Sequence, residues 1–164
     1  MTGLAVVTAG SARVVLRRAV AEDVPAIAEL LAADELGADR DGVRDQADLA
    51  AYAAAFKAID ADPAHVLLVG DADGEIVGTL QVTFLPGMSR RGALRAQLES
   101  VRVAPVMRGT GLGTAMFEWA LAEARSRGCA MVQLTSDKSR TSAHRFFRRL
   151  GFVASHEGMK LALQ

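Results

Sequence analysis

Seven residues, Arg108-Gly109-Thr110-Gly111-Leu112-Gly113-Thr114, constrain the fold of this 164-residue chain more than any other stretch. They follow a strand-like run at 98–103 and open an apolar helical pattern that continues to Arg127. Glycines at alternate positions let the backbone turn tightly and approach a ligand with no Cβ in the way. The free N–H groups of such a turn, with the positive end of the helix behind them, form a cradle for a phosphate or pyrophosphate. Arg108 adds a cation at the rim, suited to phosphate oxygens. The plainer alternative is a helix N-terminus whose glycines serve packing alone.

Two familiar phosphate-binding patterns do not match. A dinucleotide fingerprint needs G-x-G-x-x-G, but counting from Gly109 the sixth position is Thr114, and Asp137 lies past the usual place of the acidic partner. The turn also comes too late in the chain for the βαβ units that would have to follow. No Gly-Lys-Ser/Thr follows the glycines, which excludes a P-loop.

The length suits one domain with a real core, expected over residues 11–164. Basic and acidic residues balance at 19 each, so nothing electrostatic favours nucleic acid or a membrane surface as partner. Cys129 is the only cysteine. It excludes a disulfide framework, points to a reducing, cytoplasmic setting, and reads as an inert thiol on an apolar strand. Residues 1–10 are small and apolar without a basic start, and are expected to be a disordered leader rather than a signal peptide. No apolar run approaches the ~20 residues of a membrane-spanning helix. His65 and His156 lack ligand-spaced partners, so no metal site is indicated, and no Gly-x-Ser-x-Gly element supports a serine nucleophile.

Alternation around Val14 and Leu16, with Arg13 and Arg17 between, predicts a first strand. Val24, Ile27, Leu30 and Leu31 predict a helix, and Leu49, Tyr52, Phe56 and Ile59 a second. Residues 65–69 and 75–84 read as a hairpin about Asp73-Gly74, followed by a strand over 93–103. After the glycine turn come a helix over 111–127 and a strand over 130–135. A helix carrying Ala143, Phe146, Phe147 and Leu150 is next, and then a closing strand pair at 152–155 and 159–163. The predicted order is β-α-α-β-β-β-α-β-α-β-β.

Three separated motifs resemble those of the GNAT superfamily of acetyltransferases. They are Arg108-x-x-Gly111-x-Gly113, the hairpin Asp73-Gly74-Glu75-Ile76-Val77-Gly78, and the helix end from Ala143 through Phe146-Phe147 to Gly151-Phe152. The resemblance covers nearly everything after Ser11. It implies an α/β fold with a mixed, mostly antiparallel sheet of six or seven strands, four helices on both faces, and a splayed parallel strand pair. It also implies acetyl-CoA as co-substrate, its pyrophosphate held by the N–H groups of Gly109, Thr110, Gly111, Leu112, Gly113 and Thr114. Its pantetheine arm would pair with Val101, Arg102 and Val103.

The reaction implied is direct attack of an amine on the thioester in a ternary complex, with a backbone N–H near Val101 stabilising the oxyanion. Glu99 is the candidate base. By strand alternation it is expected to share a face with Val101; the alternative is a carboxylate paired with Arg95 or Arg102. Where most of the family has a proton-donating tyrosine, this chain has Phe147, which has no hydroxyl. Water, His144 or Ser142 could substitute. Arg140 replaces a frequent asparagine and could reach the CoA phosphates.

The loop bearing Asp34, Glu35, Asp39, Asp41 and Asp45 could attract a cationic amine or be an ordinary solvated connection. Arg90, Arg91 and Arg95 could face a dimer partner or an anionic substrate. Two other functions are a non-catalytic acyl-CoA-binding or regulatory module, and a nucleotide-binding α/β domain. The acceptor is not specified by the sequence, since the family places its recognition in variable segments corresponding to 34–61 and 85–95.

Overall fold

Six strands lie side by side in chain order: β1 (Ala5–Ala9), β2 (Ala12–Arg18), β3 (His65–Ala72), β4 (Glu75–Leu85), β5 (Arg95–Val103) and β6 (Met131–Leu134). The computed structural model describes residues 3–33, 37–38 and 41–163. Its contacts divide the chain into two units, Met1–Gln133 and Leu134–Gln164. The first carries the sheet and helices α1 (Val24–Ala32), α2 (Gln46–Ala61), α3 (Ser89–Gly92) and α4 (Leu112–Ser126). The second carries α5 (Thr141–Arg149).

Strands β1 to β5 pair antiparallel. The predicted β3–β4 hairpin turns on Asp73-Gly74, both at positive φ (53° and 96°), the geometry a two-residue turn needs to match strand twist. Strands β5 and β6 run parallel. Ala130 N–H donates to the Leu94 carbonyl at 2.8 Å, and three residues on along both strands Gln133 Nε2 donates to Gln97 Oε1 at 2.7 Å.

Two expectations fail. The segment expected to be a disordered leader contains β1, which pairs with β2 from Ala5↔Leu16 to Ala9↔Ala12. Its two-residue turn starts at Gly10, φ 61°, so this glycine closes a hairpin. At the other end, the expected strands at 152–155 and 159–163 are absent, and Met159, Leu161 and Leu163 are exposed. Alternation alone does not make a strand: a two-stranded hairpin is marginal by itself, and α5 offers it no sheet edge.

The core of the first unit has two layers. Val14, Leu16, Leu68, Leu80, Val82 and Leu98 are almost fully buried on the sheet face that α4 covers with Leu112, Met116, Phe117 and Ala120. There a Cβ on Gly78 would come within 2.8 Å of Met116 Sδ, which explains the glycine closing the hairpin motif. On the opposite face Ala19, Ile27 and Val69 are buried with Leu31, Phe56, Leu67 and Ile76 against them, so α1 and α2 lie there. Arg17, read in sequence as a polar alternate of the first strand, is buried on this side of β2. Its guanidinium donates to both Asp23 oxygens (2.6 and 2.9 Å) and to Asp71 Oδ2 (2.9 Å).

Candidate active site

The glycine turn is built as the sequence suggests. After β5 a short turn, Pro105–Met107, leads to Gly109 at φ 78° and Gly111 at φ 93°, left-handed conformations that favour glycine. Gly111 is the residue before α4 and provides no side-chain cap. Among the described residues no acceptor takes the N–H groups of Leu112, Gly113 or Thr114, and the first helical bond is Ala115 N–H to Gly111 O at 3.0 Å. These donors point where the helix dipole is positive, and Arg108 is exposed beside them. A Cβ on Gly109 or Gly111 would meet no protein atom within 4 Å, so the cradle opens outward. Its donor set suits a pyrophosphate.

Two contacts brace this turn. Thr110 Oγ1 donates to the Met107 carbonyl at 2.7 Å, and Gly10 N–H donates to the Thr110 carbonyl at 3.0 Å. The second comes from the β1–β2 hairpin, the segment sequence reasoning set aside. Its signal was there in Ala9-Gly10-Ser11-Ala12, a two-residue glycine turn between alternating residues.

Strand β5 carries a bulge at the expected catalytic position. Gln81 faces Glu99 and Thr79 faces Arg102, so Ser100 and Val101 together oppose Leu80. Ser100 has φ 54°. Thr79 and Gln81 share a face of β4, and therefore Arg102 and Glu99 share a face of β5. The expectation that Glu99 lies on the same face as Val101 is thus corrected, because the extra residue reverses the alternation. Glu99 is exposed, on the α1–α2 side of the sheet, in line with Arg95 and Gln97. Arg102 donates from Nη1 to the Val101 carbonyl at 2.8 Å.

In the second unit, α5 ends on a motif that explains its sequence signature. Gly151, φ 90°, donates to the Arg148 carbonyl at 3.0 Å, and Phe152 N–H donates to the Phe147 carbonyl at 3.0 Å. The Phe147 and Phe152 rings meet edge to face at 6.2 Å, the apolar contact that accompanies this helix stop. Phe147 therefore has a packing role that needs no hydroxyl. Arg140 precedes the helix, Ser142 is exposed in its first turn, and His144 is half-buried. Asp137 accepts from the Ser139 hydroxyl (2.6 Å) and N–H (2.9 Å), bonds that hold its carboxyl below the usual range.

The remaining candidates find structural partners. Asp45 caps α2, accepting from Ala47 and Asp48 N–H at 2.9 Å each, and Asp41 accepts from the Tyr52 hydroxyl at 3.3 Å. Asp34, Glu35 and Asp39 lie outside the described residues. His65 Nδ1 is 3.0 Å from Thr83 Oγ1 across the sheet, and His156 Nδ1 is 2.8 Å from Ser155 Oγ. Burial pushes the Cys129 thiol up, against the opposing pull of Arg127, away from the reactive thiolate. No helix among the described residues is long and apolar enough to cross a membrane.

A bulged strand feeding a glycine turn and an uncapped helix, beside a parallel strand, is the arrangement of an acetyltransferase fold. The sequence profile of the Acetyltransferase (GNAT) family matches residues 25–152, and the chain belongs to that family. It is an N-acetyltransferase by that membership and by its named relatives. It is 28% identical over 141 residues to the aminoalkylphosphonate N-acetyltransferase of Salmonella typhimurium strain LT2, covering 86% of each chain. It is 36% identical over 90 residues to the glucosamine 6-phosphate N-acetyltransferase of Trypanosoma brucei brucei, covering 55% of this chain and 59% of that one. Among solved structures, that of a transcriptional regulator from Bacillus halodurans C-125 superposes with a TM-score of 0.87 at 41% identity, over 92% of this chain and 99% of the other.

Proposed function

We propose that this acetyltransferase moves an acetyl group from acetyl-CoA to a primary amine by direct attack in a ternary complex. One observation carries the proposal: the unclaimed N–H groups of Leu112, Gly113 and Thr114 at the left-handed Gly111, with Arg108 at the rim. They suit the diphosphate of CoA, and both curated relatives are named for amine acetylation. Acetyl-CoA supplies the activated acyl group.

The residues divide the remaining work. Gly109, Thr110, Gly111, Leu112, Gly113 and Thr114 bind the diphosphate. Val101, Arg102 and Val103 present strand-edge backbone to the pantetheine amides. A backbone N–H at the Val101 bulge donates to the thioester oxygen, where negative charge collects during attack. Glu99 takes the proton of the amine, directly or through water. A thiol of pKa about 8.5 leaves without strong acid help. The setting is cytoplasmic, in keeping with the lone cysteine, and the acceptor is a small molecule or a protein amino group.

The test is to incubate the protein with acetyl-CoA and a panel of primary amines, following thiol release and product mass. Acetylated amine with stoichiometric thiol supports transfer. Acetyl-CoA binding without transfer to any amine would leave an acyl-CoA-binding module.

A further inference from the structure

Resting on the transfer reading above, we propose that Arg95 binds an oxyanion carried by the acceptor, so that the substrate is an amino compound with a phosphate, phosphonate or carboxylate group. Arg95 opens β5 opposite Leu85. Arg95, Gln97 and Glu99 alternate on one face of the strand, ahead of the bulge at Ser100. Arg95 and Glu99 stand four residues apart, about 13 Å along the strand. A long cationic side chain therefore stands at one end of this row and a carboxylate at the other, with Gln97 between them. The ammonium goes to Glu99 and the oxyanion to Arg95.

The state of Arg95 is what calls for a ligand. Its Nε–H is buried and meets no hydrogen-bond acceptor. Among the described residues no carboxylate pairs with its guanidinium, whereas Arg17 pairs with Asp23 and Asp71, and Arg127 with Glu123. A guanidinium has donors only, and a buried donor left unmatched is destabilising. The group that satisfies the whole fork is a planar or tetrahedral oxyanion. The surrounding charge agrees: residues 76–98 contain Arg90, Arg91 and Arg95 and no acidic residue. Arg90 and Arg91 stand exposed in the turn before β5 at φ 53° and 61°, left-handed conformations that arginine rarely adopts. Both lie shortly before the start of β5 in sequence.

The experiment compares 3-aminopropylphosphonate with 3-aminopropanol, equal in length and differing in the anion. Each is titrated calorimetrically into the protein with and without CoA, and each is offered as acceptor with acetyl-CoA. The wild type is expected to bind and acetylate the phosphonate about tenfold to a hundredfold better, the worth of a hydrogen-bonded charge pair. Arg95→Gln raises Kd and KM for the phosphonate by that factor, and Arg95→Lys recovers part of the loss. Equal use of both amines by the wild type would overturn the proposal, as would unchanged phosphonate binding in a folded Arg95→Gln. Should a substitution unfold the chain, the wild-type preference alone still decides. Failure to bind acetyl-CoA strikes at the transfer reading instead, while the phosphonate titration continues to report on Arg95.

Discussion

The Gly10 N–H donates to the carbonyl of Thr110 at 3.0 Å, tying the turn of the first hairpin to the middle of the glycine cradle. This bond fixes one peptide of the loop that precedes the unclaimed N–H groups of Leu112, Gly113 and Thr114. A chain beginning at Ala12 keeps β2 to β6 but loses β1, with its buried Ala9, and the brace. It is expected to bind acetyl-CoA about fivefold more weakly by calorimetry, the scale of one net hydrogen bond. Undiminished affinity would mean that the cradle holds its shape unaided.

Arg17, Asp23 and Asp71 join β2, the start of α1 and the end of β3 by a buried ion cluster. Burial pushes the Asp23 carboxyl up, but the hydrogen bonds from Arg17 and Val20 N–H outweigh it and hold the carboxyl below its ordinary value. Asp23→Asn is expected to destabilise the protein by about 3–5 kcal/mol, because it leaves the Arg17 charge with less than its full set of partners. A folded-state pKa below the unfolded one favours the native state above the unfolded value, near ~3.9. That contribution disappears as pH falls through the lower folded value. Chemical denaturation from pH 7 to 3 should therefore show a steeper acid loss in the wild type than in Asp23→Asn.

Glu99→Gln removes the proposed base and keeps its size. The expected result is a fall in kcat of about a hundredfold or more with acetyl-CoA affinity unchanged. A loss confined to KM would recast Glu99 as a residue that only holds the acceptor.

Phe147→Tyr retains the ring that packs on Phe152 and adds a hydroxyl. Turnover is expected to change by less than about tenfold, since a thiolate near pKa ~8.5 leaves readily. Phe147→Ala removes the contact that closes the Phe147-to-Phe152 helix stop. It should lower the thermal midpoint. A large gain in turnover for Phe147→Tyr would show that the chemistry lacks an acid it once had.

Local patterns announced most of this architecture. The glycine turn and the Asp73-Gly74 hairpin each require positive φ, and glycine or aspartate there is a direct backbone signal. The helical stripes of α1 and α4 are buried as their spacing predicts. What was not legible depends on pairing between distant residues. Nothing local says that Ser100 adopts φ 54°, so strict alternation misassigned the face of Glu99 relative to Val101. Arg17 looks like a solvent-facing alternate until Asp23 and Asp71 close around it. The alternation of Met159, Leu161 and Leu163 suggested a strand, but alternation supplies no partner edge. Gly10 was discounted because its role lies in Thr110, a hundred residues away in sequence.

The account stands most directly on calorimetric titration of acetyl-CoA into the wild type and into Gly111→Val and Gly113→Val proteins shown to be folded by circular dichroism. It predicts binding to the wild type at 1:1 stoichiometry and loss of that binding in both variants, where a β-branched side chain disturbs the turn at φ 93° or crowds the helix N-terminus. A folded wild type that does not bind acetyl-CoA, or folded variants that bind it as tightly as the wild type, would contradict it.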